Sequence, residues 1–377
     1  MAVDTAKLLG RRIKSGGADC TKGKCAHNLA DSRAAASEST THAAATVHNH
    51  VFLATQLPAM TQFLDIHLAT DDERCRAHEN CHDVWSLGLT LTEHVARREK
   101  SALHRRAHWI VGCLGGKVVA ALASHPVRFW LHGRSFPGIG IASVHTLDAY
   151  RGQGIAPRMI RWAESHEQQA GARISTLFCD IDPRYYERLG YTLCPAHIGW
   201  ASTDSANPGV NAVAGWRLVA VPAGEEFARR VPRLASLYDS DHGQRPLAVD
   251  RTADYWEHLA ARQPTAEHFW LLDPTGQTVG YAWLRQAKLD LLIDDQAVLA
   301  GDAERREKLF RLVIEMAKGR ALTRAGGWMP KASPAEALFA ISRREDEITM
   351  VKSLDMSLSF DGAAIESADW WQEIDHV

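Results

Sequence analysis

The stretch Ser143-Val144-His145-Thr146-Leu147-Asp148-Ala149-Tyr150-Arg151-Gly152-Gln153-Gly154-Ile155-Ala156-Pro157 decides how this chain is read. Its first residues make a strand, Gly152 and Gly154 make a sharp turn, and residues 157–170 carry a helical pattern with Ile160, Ala163 and His166 on one face. Glycines let the backbone turn tightly and leave no side chains over the amides. Those amides then point out of a helix N-terminus, where the dipole is also positive, so the loop is suited to cradle phosphate oxygens. Two common phosphate loops do not fit. No Gly-Lys-Ser/Thr follows, and the third small residue of the dinucleotide fingerprint is missing. A plain tight turn has the same glycines, so the surroundings must decide.

Upstream, Asp71, Asp72 and Glu73 open a helix over residues 74–87, where acidic groups meet the positive dipole end. A second helix covers 92–100. Residues 109–113 and 118–124 flank the Gly115-Gly116 turn as a hairpin, and 129–131 and 139–146 continue the strands. Downstream come a buried strand at 174–180, a short helix at 184–189 and a strand at 191–193. The order predicts an α+β fold, a mixed and mostly antiparallel sheet flanked by helices.

Tyr150-Arg151-Gly152-Gln153-Gly154-Ile155-Ala156 after a Val-rich strand resembles motif A of the GNAT N-acetyltransferase superfamily. A second stretch, Asp182-Pro183-Arg184-Tyr185-Tyr186-Glu187-Arg188-Leu189-Gly190-Tyr191, is similar to that family's late Tyr-x-x-x-Gly-Phe/Tyr motif. The resemblance implies acetyl-CoA as cosubstrate, with no metal. It implies that Arg151, Gly152, Gln153, Gly154, Ile155 and Ala156 hold the pyrophosphate, whereas Pro157 has no N–H to offer. It also implies that Val144, His145 and Thr146, on a splayed strand, meet the pantetheine arm, with Asp182 among the cofactor contacts. One extra residue before Arg151, relative to the commonest spacing, leaves that strand register open by one. Tyr186 matches the tyrosine that faces the departing thiolate, where a hydroxyl protonates it as general acid or stabilises it by a hydrogen bond.

Trp85-x-x-Gly88-Leu89-Thr90, His94, Arg97-Arg98-Glu99 and the strand Gly140-Ile141-Ala142-Ser143-Val144 resemble the fungal lysine N6-acetyltransferase family. The layout beyond residue 200 is similar to the enhanced-intracellular-survival acetyltransferases, which carry tandem GNAT folds. There, a linker at 201–215 precedes a second run of strands and helices, with Arg245 and Arg251 flanked by Leu237-Tyr238 and Tyr255-Trp256. In those relatives the chain-terminal carboxylate acts as base, which makes Val377 a candidate beside His145. The second half has no motif A before its long helix at 303–322. Asp294, Asp295, Asp302 and Glu304 stand there instead and would repel a pyrophosphate. The expected domains are a disordered or targeting tail at 1–60, a catalytic domain at 61–200, a second GNAT-like domain without the loop at 216–330, and a segment at 331–377 packed on the core.

Composition bounds the partners. The chain has 377 residues, which points to about two domains plus tails. Its net charge of −2 gives no support for nucleic-acid binding, and no apolar run reaches the roughly 18 residues of a membrane span. Seven cysteines without a C-x-x-C pair argue for a reducing, cytoplasmic setting. Cys113 and Cys179 read as small core residues. The Ala/Ser/Thr-rich front has no apolar face to bury. The function expected is acetyl transfer to a primary amine of a small molecule, free lysine first. An aminoglycoside-type acceptor, or a non-catalytic acyl-CoA-binding regulator, stands as the alternative.

Overall fold

A computed structural model of the protein describes residues 63–86, 88–204, 213–221 and 226–376. The expected tail at 1–60, most of the 201–215 linker and Val377 lie outside the described residues. The chain from Gln62 onward makes one compact unit. Among the described residues no helix is long and apolar enough to cross a membrane.

The first half runs β1 (Asp65–Leu68), α1 (Asp71–Trp85), α2 (Leu91–Glu99), α3 (Ala102–Arg105), β2 (His108–Leu114), β3 (Lys117–Leu131), β4 (Arg134–Thr146), α4 (Ile155–Gln169), β5 (Ile174–Cys179), α5 (Arg184–Glu187), β6 (Thr192–Leu193) and β7 (His197–Ser202). The second half runs β8 (Arg217–Ala220), α6 (Phe227–His242), β9 (Leu247–Val249), α7 (Ala253–Arg262), β10 (Glu267–Leu272), β11 (Thr278–Ala287), β12 (Asp290–Val298), α8 (Ala303–Gly319), β13 (Arg324–Trp328), α9 (Ala335–Leu338), β14 (Ala340–Arg343), β15 (Ile348–Ser353) and α10 (Gly362–Ser367). Local chemistry fixes the first helices. Thr70 and Glu73 close a capping box on α1, and Thr90 and Glu93 do the same on α2.

The two strands expected at 118–124 and 129–131 are one long strand, β3. Pro126 is tolerated because β2 pairing ends at Ser124 and β9 pairing begins at Phe129, which leaves that edge of the strand free between them. The carboxylates expected to crowd the loop before α8 are also partly elsewhere. Asp294 and Asp295 lie inside β12, fully buried and paired with Arg285 and Arg251. Only Asp302 and Glu304 stand at the helix start, where Asp302 caps α8 by accepting from the Arg305 amide.

The strands form two sheets, ordered β1-β2-β3-β4-β5-β15-β6 and β14-β7-β13-β12-β11-β10-β8, with β9 added on β3. Most pairings are antiparallel; β4–β5 and β12–β13 are the parallel ones. The halves exchange strands. β7 follows the first half in sequence but pairs with β13 and β14. β15 comes near the end of the chain but lies between β5 and β6. One apolar core joins the two, with Phe129, Ile174 and Val351 packed with Trp256, Trp283, Trp371 and Ile374. A buried charge triad locks the last residues in place. Arg251 donates to both oxygens of Asp295 at 2.8 and 3.0 Å and to both of Asp375 at 3.0 and 2.9 Å. Removing one partner from such a triad costs about 3–5 kcal/mol.

Candidate active site

The site begins where β4 and β5 part. They pair in parallel over Gly138–Gly140 and Ile174–Thr176 only. Beyond Gly140 and Thr176 the two strands separate: β4 runs on toward Thr146, while β5 continues to Cys179, held along its whole length by β15 on its other edge. The register of β3 on β4 also slips here. Ala123 faces Ala142 and Ala121 faces His145, so Ser143 and Val144 share the place opposite Leu122. That bulge puts Ser143 in the left-handed region, at φ 51°. The result is a wedge between two strands whose facing backbone groups make no ladder bonds to each other.

The glycine loop sits at the wedge's mouth. A 3-10 turn, Asp148–Tyr150, takes up the residues between β4 and Arg151. Gly152 and Gly154 have φ of 76° and 71°, and a Cβ on either would meet open space. Among the described residues no backbone carbonyl outside the helix accepts from the amides of Gly152, Gln153, Gly154 and Ile155. Ile155 and Ala156 open α4, where amides have no intrahelical partner. Residues 152–154 are exposed. Arg151 donates from Nε to the Thr146 carbonyl at 3.0 Å and pairs with Asp148 at 2.9 Å, which braces the loop from the strand side.

Val144 packs toward α4 with Leu122 and Ile155, while His145 faces the other side of the sheet, toward Trp85, with ring centroids 6.1 Å apart. His145 Nδ1 is buried, with no hydrogen-bond partner among the described residues. Burial, followed by the Arg151 charge, pushes its pKa down, so the ring is neutral at pH 7. Thr146 Oγ1 is likewise buried and unbonded.

Tyr186 enters from α5, on the β5 side. It is 8% exposed and lies in the cluster with Ile155, Cys179 and Tyr191. Burial raises its pKa well above that of a free phenol, with Cys179 adding to the effect, so it holds its proton. Asp182 is exposed and its Oδ1 accepts from the Arg184 amide at 3.0 Å, in the turn that leads into α5. Cys113 and Cys179 are buried, as their strands suggested.

Sequence reasoning missed Asp180, one residue past β5. It accepts from the Glu347 amide at 2.9 Å, and burial, with Glu347 and Asp346 nearby, raises its pKa. His376 packs its ring on Phe178 at 4.7 Å and pairs with Glu347 at 3.2 Å. The residue before Val377 is therefore docked beside the end of β5. Among the described residues one cluster has metal-ligand chemistry. His67, Glu73 and Cys113 bring donor atoms within 4.8 Å of one another at the β1 edge. His67 Nε2 and Glu73 Oε1 already pair at 2.9 Å, and Glu73 also serves the α1 capping box.

Residues 65–194 match the family model described as an acetyltransferase (GNAT) domain. Over 93 residues the chain is 32% identical to the aminoalkylphosphonate N-acetyltransferase of Salmonella typhimurium. That alignment covers 24% of this chain, which spans 59% of the relative's length. A GCN5-related N-acetyltransferase from Anabaena variabilis superposes with a TM-score of 0.62 at 17% identity, covering 78% of this chain and 73% of that one. Eis1 from Mycobacterium abscessus does so with a TM-score of 0.56 at 15% identity, covering 78% and 74%. At those identities the likeness is one of fold, and it extends well beyond the matched domain.

Proposed function

We propose that this protein transfers the acetyl group of acetyl-CoA to a primary amine of a small molecule. The observation that carries this reading is the open amide loop at Gly152–Ala156, set at the mouth of the β4–β5 wedge within a GNAT domain. The unpaired amides and the positive end of α4 would hold the pyrophosphate. The free edge of β4 at Val144–Thr146 would hold the pantetheine arm and place the thioester in the wedge.

The chemistry then follows from the side chains at hand. A neutral amine attacks the thioester carbonyl, the N–C bond forms, and the C–S bond breaks. A backbone N–H on the free edge of β4 polarises the carbonyl. Tyr186 gives its proton to the departing thiolate and is suited to that role because burial keeps it protonated. The amine proton leaves toward His145, neutral and unpartnered at Nδ1, or toward Asp180 through water. Val377 remains a candidate base, supported by the docking of His376 next to it.

Free lysine is the acceptor suggested by the resemblance of the α1–α2 region. The Salmonella relative is named for an aminoalkylphosphonate, which is likewise an amine joined to an anion. Incubation with acetyl-CoA and a panel of lysine, polyamines, 2-aminoethylphosphonate and aminoglycosides tests the proposal through thiol release. Amine-dependent release is expected. Binding of acetyl-CoA without release on any amine would favour the regulator instead.

A further inference from the structure

Arg98 stands at the last turn of α2 and is not used by the reaction outlined above. Its Nη2 donates to Ser143 Oγ at 3.2 Å, on the bulge where β4 leaves β5. Its guanidinium lies 5.7 Å from the centroid of the Trp109 ring. Protein encloses most of the group, yet the residue keeps part of its surface open. Among the described residues no carboxylate pairs with it, although most other enclosed arginines have one. Arg251 has Asp295 and Asp375, Arg306 has Asp241, and Arg285 has Asp294.

The neighbours do not supply the missing charge. His78, His94 and His125 are held neutral by burial, to which the Arg98 charge contributes, with pKa values of about 3, 4 and 4. The Cys81 thiol favours the cation, but burial pushes the thiol up and keeps it protonated. The negative end of α2 offsets part of the charge. An enclosed guanidinium without a counter-ion is otherwise costly, and it is relieved when an anion arrives.

We propose that Arg98 is the acceptor's anion site: it binds a carboxylate or phosphonate carried by the amine substrate, through the face that Ser143 and Trp109 leave open. The inference rests on the acetyl-transfer reading and names its substrate class, an amine bearing an anion. Geometry sets the spacing. Two residues of regular strand rise roughly 6–7 Å, and the bulge at Ser143 brings Ser143 and His145 closer than that along β4. An anion on Arg98 therefore leaves the amine of a lysine side chain, or of a short ω-amino acid or aminophosphonate, within reach of the wedge. Arg forms the paired, planar contacts such anions accept, which a lysine ammonium reproduces only in charge.

The test uses matched amines with the full chain. Lysine is compared with 1,5-diaminopentane, which lacks only the carboxylate, and 2-aminoethylphosphonate with ethylamine. Thiol release gives kcat and KM, and calorimetric titration into the CoA complex gives binding without turnover. The wild type should prefer at least one anionic member of a pair by tenfold or more, and which pair shows it separates carboxylate from phosphonate. Arg98→Gln should bring that ratio near one, mainly through the amine KM, with the KM for acetyl-CoA unchanged. Arg98→Lys should retain part of the preference and guards against misfolding of the glutamine variant. No anion preference in either pair, or an equal loss for both members in Arg98→Gln, overturns the proposal. Arg98-dependent binding of the anionic amines without turnover would uphold the anion site while removing the transfer reading. Turnover without anion preference would do the reverse.

Discussion

Tyr186 carries the sharpest expectation for a single residue. A structural tyrosine and a proton donor look alike in burial, and Tyr186 has the burial of both. Tyr186→Phe separates them, because the phenyl ring keeps the packing with Cys179 and Tyr191 and removes only the hydroxyl. Turnover should fall about 10²-fold or more, as general acids usually contribute, while acetyl-CoA affinity by titration stays within about twofold. An equal weakening of both would make Tyr186 packing alone. Residues at this scale were legible to different degrees. The turn at Gly152 and Gly154 and the short helix that carries Tyr186 could be read because their residue spacing is local. Asp180 could not, because its partner, the Glu347 amide, is distant in sequence, and the surroundings of Arg98 are gathered from several elements, with no carboxylate pairing it among the described residues. Asp294 and Asp295 were misread as loop charges for the same reason, since their arginines lie 9 and 44 positions away.

Among the elements, the loop and α4 were recovered from sequence nearly to their ends, because glycines and helical periodicity mark them locally, while the strand before them was read only over the C-terminal part of β4. The short strands β1, β7, β9, β13, β14 and β15 were missed. Each is completed by a neighbour far along the chain, and none carries a clear alternation of its own. The layer formed by α1, α2, α3 and the sheet beneath also has a consequence for pH. His78, His94 and His125 have folded pKa values of about 3, 4 and 4 against 6.5 when unfolded, and His268 is about 4. Between pH 6.5 and 4 the unfolded chain therefore binds protons that the folded chain refuses, and stability is lost as pH falls. Glu373 and Asp239, raised to about 7 and 6 by burial, act in the opposite sense over part of that range. The histidines outnumber them. The urea midpoint at pH 5 should lie below that at pH 7; an equal or higher midpoint would show these rings are protonated in the fold.

For the whole molecule, the sequence read as two successive domains, and the fold is two sheets that trade strands. The α+β class and the mostly antiparallel pairing followed from the order of elements. The exchange did not, because no local pattern records which sheet a strand joins. It has a direct consequence. A fragment of residues 63–204 lacks β15, so β5 loses a neighbour and β6 its partner, while β7 has no sheet to enter. That fragment should show no cooperative thermal transition and no near-UV circular dichroism of a packed core, and native-like signals from it would mean the exchange is dispensable. The same continuity ties the chain's last residues, through Arg251, to the body that holds the wedge. The central claim is that the Gly152–Ala156 amides at the mouth of the wedge receive acetyl-CoA. Calorimetric titration of acetyl-CoA into the wild type and into Gly154→Asp tests it most directly. Asp tolerates the left-handed backbone found there and sets a carboxylate where the pyrophosphate would lie. The account predicts saturable one-site binding by the wild type and at least a tenfold loss in a variant whose circular dichroism is unchanged. Equal affinity in the two proteins, or no binding by the wild type, would contradict it.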